Sequence, residues 1–168
     1  EFVSDYIPKF IQKEAMEKWE WHKSQGHFMV LLSASGEFYL KEIGVWLGAD
    51  YTQGTLVQFP DSKSKKIFRR PIMRLGNFKG PNKAQLIDKN SIWTLGETWA
   101  YSDHIVDCPM LEKADNIIAV NPESRLRKRA QNENWEILEI SNISHSFWEQ
   151  KKLGRFLQML FPLPLKQN

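Results

Sequence analysis

The sequence has very little cysteine and no long apolar run, and both scarcities narrow the classes of protein it can belong to. Its 168 residues include one cysteine, Cys108, which cannot close a disulfide within the chain. No apolar stretch is long enough to span a bilayer, and no secretory signal pattern is present. These features predict a soluble protein of a reducing compartment, the cytoplasm.

Excess charge of either sign is also small. The formal net charge is +3, which is well below the charge density of a dedicated nucleic-acid binder. A hydrophobic content of 42% and a charged content of 26% are typical of a globular chain, and the length suits one domain. The composition therefore excludes a wholly disordered protein and identifies no partner.

Apolar runs alternate with helical patterns along the first 140 residues. The strand candidates are HFMVLLS (27–33), ETWAYS (97–102), NIIAV (116–120) and WEILEI (135–140). Short crossovers between such runs predict an α/β fold, in which a three-layer, Rossmann-like parallel sheet carries helices on both faces. Residues 1–140 form this core, and residues 141–168 form a C-terminal extension that we predict to be helical.

The helical patterns have recognisable faces and ends. The first presents Ile11, Ala15, Met16 and Trp19 on one face and closes at Gly26, and the second turns Phe38, Ile43 and Leu47 inward and stops at Gly48. A third helix begins near Asn82, so Lys83 lies in its first turn. A cation there opposes the helix dipole, which hints at a use for this lysine.

Polar residues follow two of the predicted strands. Ser33 and Asp103 stand at carboxyl ends, where open parallel sheets bind their ligands. Asp103 and Asp107 are separated by three residues across a strand-to-helix turn, so their carboxylates can converge on one point. Converging oxygen ligands and backbone donors suit Mg²⁺ and a phosphate. On spacing alone, Asp107 is equally well explained as a helix cap.

A basic run lies between Lys63 and Arg74, with six Lys or Arg residues. Such a run can contact phosphates, but a solvated hairpin is the commoner explanation of short basic runs. We therefore predict no nucleic-acid binding.

Four ordered segments resemble the haloacid dehalogenase superfamily of phosphohydrolases, in particular its phosphoserine-phosphatase-like branch. They are LLSAS (31–35), GPNKAQL (80–86), AYSDHIVDCPMLEKAD (100–115) and IAVNPESRLRKRAQNENWEILEI (118–140). The likeness extends from Tyr6 to Ile140. It implies a phosphate-monoester hydrolase that uses Mg²⁺ and an aspartyl-phosphate intermediate.

The resemblance assigns a role to each candidate residue. Ser33 resembles the hydroxyl that bonds the transferring phosphoryl group, and the turn at Ala34 adds backbone donors. Lys83 resembles the lysine that neutralises charge between the phosphate and the nucleophilic carboxylate. Asp103 resembles the direct Mg²⁺ ligand, and Asp107 the second acid, which orients the water shell of the metal or the lysine.

The first motif of the family, an apolar strand ending in DxD, has no counterpart in this sequence. Asp5 does not replace it, because it follows no apolar strand and has no second aspartate two residues later. The resemblance places the missing strand at the centre of the sheet, between the strands ending in Ser33 and Ser102. We therefore expect a truncated piece of a larger phosphatase, inactive alone, or a chain completed by an N-terminal segment or a second copy.

Two positions depart from the pattern of the family. His104 stands where a small serine is common, and either contacts substrate or has no role. Val106 replaces an asparagine whose amide often ties the loop together, so weaker metal affinity is expected.

The extension from residue 144 onward combines apolar Phe156, Leu157, Leu160 and Phe161 with basic residues. We expect it to pack on its own domain or a partner rather than to contact a membrane.

The substrate is a small phosphorylated metabolite of unspecified identity. Two alternatives to an enzyme remain, namely a non-catalytic phosphate- or metal-binding module derived from this fold, and a basic nucleic-acid or membrane adaptor.

Overall fold

The computed structural model describes residues 3, 5, 7, 11–59, 72–73, 76–140 and 159–162, with main chain only for Ile72 and for the last four. The helices are α1 (Lys13–Ser24), α2 (Glu37–Leu47), α3 (Pro81–Lys89), α4 (Cys108–Leu111) and α5 (Ser124–Asn132), with 3₁₀ turns at Ser91–Thr94 and Ile105–Asp107. The strands are β1 (Val30–Gly36), β2 (Tyr51–Thr55), β3 (Val57–Gln58), β4 (Ile72–Met73), β5 (Thr98–Ser102), β6 (Asn116–Val120), β7 (Glu136–Leu138) and β8 (Met159–Pro162).

The main sheet has the strand order β2-β1-β8-β5-β6-β7. β1 pairs with β2, β5 with β6 and β6 with β7, all in parallel. β3 and β4 form a separate antiparallel pair. The predicted α/β fold with a parallel sheet is confirmed.

Successive residues of the sheet enter two different apolar clusters, because side chains alternate between the faces of a strand. Leu31 and Tyr101 pack with α1 and α2 on one face, whereas Leu32 and Ala100 pack with α3, α4 and α5 on the other. Val30 to Leu32 are fully buried. This double burial is the physical reason for the continuous apolar run in β1.

β8 occupies the position between β1 and β5, where the sequence predicted a missing strand. It runs antiparallel to both neighbours, pairing Leu160 with Val30 on one side and with Ala100 on the other. Pro162, which has no N–H to donate, pairs with Thr98. The expectation that β1 and β5 have bare facing edges is therefore wrong for these pairs.

The prediction of a helical extension is wrong for Met159–Pro162, which form a strand. The facing edges of β1 and β5 offer hydrogen bonds to this segment, and prolines at 162 and 164 oppose a helix. Residues 141–158 and 163–168, with Phe156 and Leu157, lie outside the described part of the chain. So do residues 60–71, which hold most of the basic run.

Two local predictions need correction. β1 begins at Val30 rather than His27, and it continues to Gly36 because β2 pairs with it through Thr55. Phe38, predicted to face inward, is 56% exposed, while Ile43 and Leu47 of the same helix are buried as expected. Gly48 ends α2 in the left-handed conformation, with a φ of 68°.

A buried histidine pair joins α1 to the sheet. Nδ1 of His22 lies 2.7 Å from Nδ1 of His27, and Nε2 of His22 lies 2.8 Å from the Tyr101 hydroxyl. Burial, helped by His27 and Lys18, lowers the pKa of His22 from 6.5 to about 3. Folded His22 therefore stays neutral at pH values where the unfolded side chain is protonated.

This difference predicts acid-sensitive stability. Between pH 6.5 and about 3 the unfolded state binds the additional proton, so the free energy of unfolding falls as the pH falls, by up to about 1.4 kcal/mol per pH unit for this residue. Urea unfolding of the wild-type chain and of His22→Gln at pH 7.0 and 5.5 measures the effect. The variant should show a smaller loss between the two pH values, and an equal loss in both proteins would contradict the assignment.

No helix in the described part of the chain is long and apolar enough to cross a membrane.

Candidate active site

A buried ion pair forms the centre of the candidate site. Nζ of Lys83 lies 3.0 Å from Oδ1 of Asp107, and the lysine side chain is fully buried. Burial lowers the pKa of Lys83, whereas Asp107 and Asp103 act in the opposite direction. Lys83 is in the first turn of α3, as predicted, so the helix carries its cation into the protein towards the two acids.

The second oxygen of Asp107 is held by the strand that precedes the acidic loop. Ser102 donates its hydroxyl to Oδ2 of Asp107 at 2.9 Å, and the same hydroxyl oxygen accepts the N–H of His104 at 3.2 Å. Asp107 makes no side-chain cap bond to α4, so the interpretation as a helix cap is not supported. Both carboxylate oxygens of Asp107 thus have partners, Lys83 and Ser102, and its predicted role in orienting the lysine or the water shell of a metal stays a prediction.

Glycine at position 80 allows the start of α3 to approach the acidic loop closely. Gly80 has a φ of 39°, and a Cβ atom added there would lie 2.5 Å from the carbonyl oxygen of Val106. That separation is too short for any side chain, so a larger residue would push α3 away from the loop. The Gly-Pro pair thus places Lys83 next to Asp107.

Thr55 links the end of β1 to the segment that precedes α3. Its hydroxyl donates to the carbonyl oxygen of Ala34 at 2.6 Å and accepts the N–H of Phe78 at 3.1 Å. Ala34 is thereby tied to the loop that leads into Gly80 and Lys83. Thr55 thus connects the end of β1 with the segment that leads into α3.

Ser33 lies within β1 and is 1% exposed, and its hydroxyl oxygen accepts the N–H of Ser35 at 3.1 Å. The structure therefore places the charged groups of Lys83 and Asp107 in contact. Metal binding by Asp103 and Asp107, and phosphate binding by Ser33, Ala34 and Lys83, stay predictions.

Asp103 is the residue best suited to a cation at this edge. Its side chain is half-buried at the carboxyl end of β5, and a carboxylate is a donor that Mg²⁺ prefers. Within the described ranges, no three His, Cys, Asp or Glu side chains are grouped to hold a metal. A single carboxylate such as that of Asp103 fits Mg²⁺, which commonly uses one or two protein carboxylates and completes its shell with water and substrate phosphate.

A cleft of about 300 Å³ opens between the end of β2 and α3. Gln53, Gly54, Phe78, Asn82 and Gln85 are among the residues that line it. Gly54 and Asn82 adjoin Thr55 and Lys83 in sequence, so the cleft is next to the elements that build the site.

Sequence reasoning missed several residues that build the site, namely Thr55, Gly80, Ser102 and Glu123. Gly80 left a signal, because Gly-Pro before a helix often marks a special turn. Ser102 also left one, as a hydroxyl directly before a strand-end aspartate. Nothing in the sequence marks Thr55 and Glu123 as site residues, since their contacts join segments that are far apart in the chain.

Comparison with known proteins identifies relatives. The family profile of haloacid dehalogenase-like hydrolases matches residues 1–112. The chain is 33% identical over 142 residues to the "inhibition of morphological differentiation protein" of Streptomyces azureus, covering 83% of this chain and 50% of that one. It is 32% identical over 146 residues to a "probable phosphatase" of Mycobacterium tuberculosis, covering 84% and 48%.

The fold is similar to that of a phosphoserine phosphatase solved as a phospho-aspartyl intermediate analogue. The TM-score is 0.58 at 20% identity, over 80% of this chain and 61% of the phosphatase. The chain spans about half the length of the two relatives from Streptomyces and Mycobacterium. Both the family match and these identities support the same conclusion: the chain belongs to the haloacid dehalogenase-like hydrolases, as the four segments that resemble this family suggested.

Proposed function

We propose that this chain is the lysine- and cation-binding part of a Mg²⁺-dependent phosphate-monoester hydrolase of the phosphoserine-phosphatase type. The observation that carries the proposal is the buried contact of Lys83 with Asp107, coupled electrostatically to Asp103, at the carboxyl edge of a parallel sheet. A buried cation beside two acids is expensive to maintain for stability alone. The arrangement is suited to receiving an anion next to a cation.

Each residue has a distinct task in this proposal. Lys83, oriented by Asp107, faces the negative charge of the phosphate, and Ser33 with the backbone at Ala34 bonds the phosphoryl oxygens. Asp103 would hold Mg²⁺, which when bound supplies charge neutralisation between phosphate and carboxylate. Positioning and charge stabilisation of this kind account for most of the acceleration in phosphoryl transfer.

The attacking carboxylate and the acid/base must come from another segment. The strand between β1 and β5 is Met159–Pro162, and none of its residues has an acidic side chain. β1 and β5 run in the same direction, so a strand parallel to both fits this position in place of β8. We propose that a complementing segment provides an apolar strand that ends in two aspartates. A second copy of this chain can cover the strand edges but cannot supply these aspartates, because its sequence has no such motif.

Hydrolysis of p-nitrophenyl phosphate and phosphoserine tests this function. With Mg²⁺ present, the 168-residue chain alone should show no turnover above that of an identically purified Asp103→Asn variant. Addition of the part of the Mycobacterium tuberculosis relative that has no counterpart here, as a separate or fused polypeptide, should produce turnover that EDTA and Asp103→Asn abolish.

Three outcomes separate the alternatives. Turnover by the wild-type chain alone would contradict the need for a complementing segment. Phosphate or metal binding with no turnover in any combination would favour a non-catalytic module. Absence of both binding and turnover would contradict the proposed function. The proposed substrate class, a small phosphorylated metabolite, rests on the hydrolase family of the chain, and comparing phosphoserine with p-nitrophenyl phosphate would narrow it.

A further inference from the structure

The loop between Asp103 and Asp107 has an acceptor for each of its backbone N–H groups. His104 donates to the Ser102 hydroxyl, Ile105 to Oε1 of Glu123 at 3.2 Å, Val106 to Nδ1 of His104 at 3.1 Å, and Asp107 to the carbonyl oxygen of His104 at 3.1 Å. Two of these acceptors are the side chains of His104 and Glu123. The loop is therefore tied down without the asparagine that Val106 replaces.

The His104 ring is fixed by this arrangement. Because Nδ1 accepts the Val106 N–H, the ring proton of neutral His104 must be on Nε2. Nε2 lies 3.2 Å from Oε2 of Glu123 and so donates to that carboxylate. The ring thus connects the backbone of the loop to a side chain from another segment.

Glu123 holds the loop at three points. Its two carboxylate oxygens accept from the Ile105 N–H and from His104, and its own N–H donates to the carbonyl oxygen of Asp103 at 3.0 Å. Glu123 immediately precedes α5, which packs on the sheet through the fully buried Leu126 and Ala130. The loop that carries Asp103 is therefore anchored to a rigid part of the core.

We infer that Glu123 and His104 are positioning residues that hold the Asp103 carboxylate ready for a divalent cation, an inference that rests on the proposed function. A preorganised ligand loses less conformational freedom when the ion binds, and partners that orient a metal ligand commonly change its affinity by roughly 10–100-fold. This pair replaces the missing asparagine amide and removes the expected penalty of Val106. In this inference His104 has a positioning role in the loop.

Mn²⁺ binding to the purified chain, measured by electron paramagnetic resonance of the free ion, tests the inference. Glu123→Ala removes both side-chain acceptors, and Glu123→Gln has one oxygen for two donors. We expect Glu123→Ala to weaken Mn²⁺ binding by roughly 10-fold or more and Glu123→Gln to weaken it less. Glu133→Gln, which changes an exposed glutamate paired with Arg129 on the far end of α5, should leave the affinity unchanged.

A rescue experiment separates positioning from general stability. His104→Ser should weaken Mn²⁺ binding, and the added change Val106→Asn should recover part of it by restoring the amide. Melting temperatures without metal provide the second readout, because a purely structural role would lower them and leave the affinity intact. Equal Mn²⁺ affinity of the wild-type and Glu123 variants would overturn the inference. Failure of the wild-type chain to bind Mn²⁺ would contradict the cation site of the proposed function itself, and the inference with it.

Discussion

Replacing Lys83 with methionine is expected to destabilise the folded chain by about 3–5 kcal/mol, because it leaves the Asp107 carboxylate buried without its cation. Because the lysine is fully buried, its loss should lower the free energy of unfolding as well as any catalytic rate.

The double variant Lys83→Met/Asp107→Asn should recover most of this loss, because neither charge is then buried alone. An asparagine can still accept the Ser102 hydroxyl that bonds Asp107. Chemical unfolding of the wild-type chain, both single variants and the double variant gives the coupling energy of the pair. Lys89→Met, on the exposed side of the same helix, is the matched control and should cost little. Additive effects in the double variant would show that the two side chains are not coupled.

The parallel sheet was predictable because strands buried on both faces, such as β1 and β6, are continuous apolar runs. The place of the central strand, between β1 and β5, was implied by the resemblance to the family. The occupant of that gap was not predictable. Its residues, Met159–Pro162, have the composition of a helix end, and only the facing edges of β1 and β5 make a strand favourable there.

The charged centre of the site was predictable for a different reason. Lys83 occupies a position that a helix disfavours for a cation, and such a conflict between local preference and sequence often marks function. Asp103 directly follows β5, and Asp107 lies four residues later. Both are thus near the carboxyl ends of the strands, where open parallel sheets bind their ligands. The supporting contacts of Glu123 and Thr55 depend on how distant segments approach one another. The periodicity of a single sequence predicts helices and strands, but it does not predict contacts between distant segments.

Anion binding by the same residues is the second large effect expected. A charge-assisted hydrogen bond contributes about 1.5–3 kcal/mol, so loss of Lys83 should weaken phosphate binding by roughly 10–100-fold. The double variant Lys83→Met/Asp107→Asn is the appropriate comparison, because its stability should be close to that of the wild-type chain. Lys128→Met, which changes an exposed lysine of α5 that does not line the cleft, controls for the loss of one positive charge.

The most direct measurement is a titration of the chain with inorganic phosphate in the presence of Mg²⁺, followed by amide chemical shifts in ¹H–¹⁵N NMR spectra. The shifts should concentrate at residues 33–36, 80–83 and 103–107 in the wild-type chain and in Lys128→Met, and should be lost in the double variant. Shifts confined to the basic stretch 63–74, or a response unchanged in the double variant, would contradict a phosphate site built on Lys83 and the two aspartates.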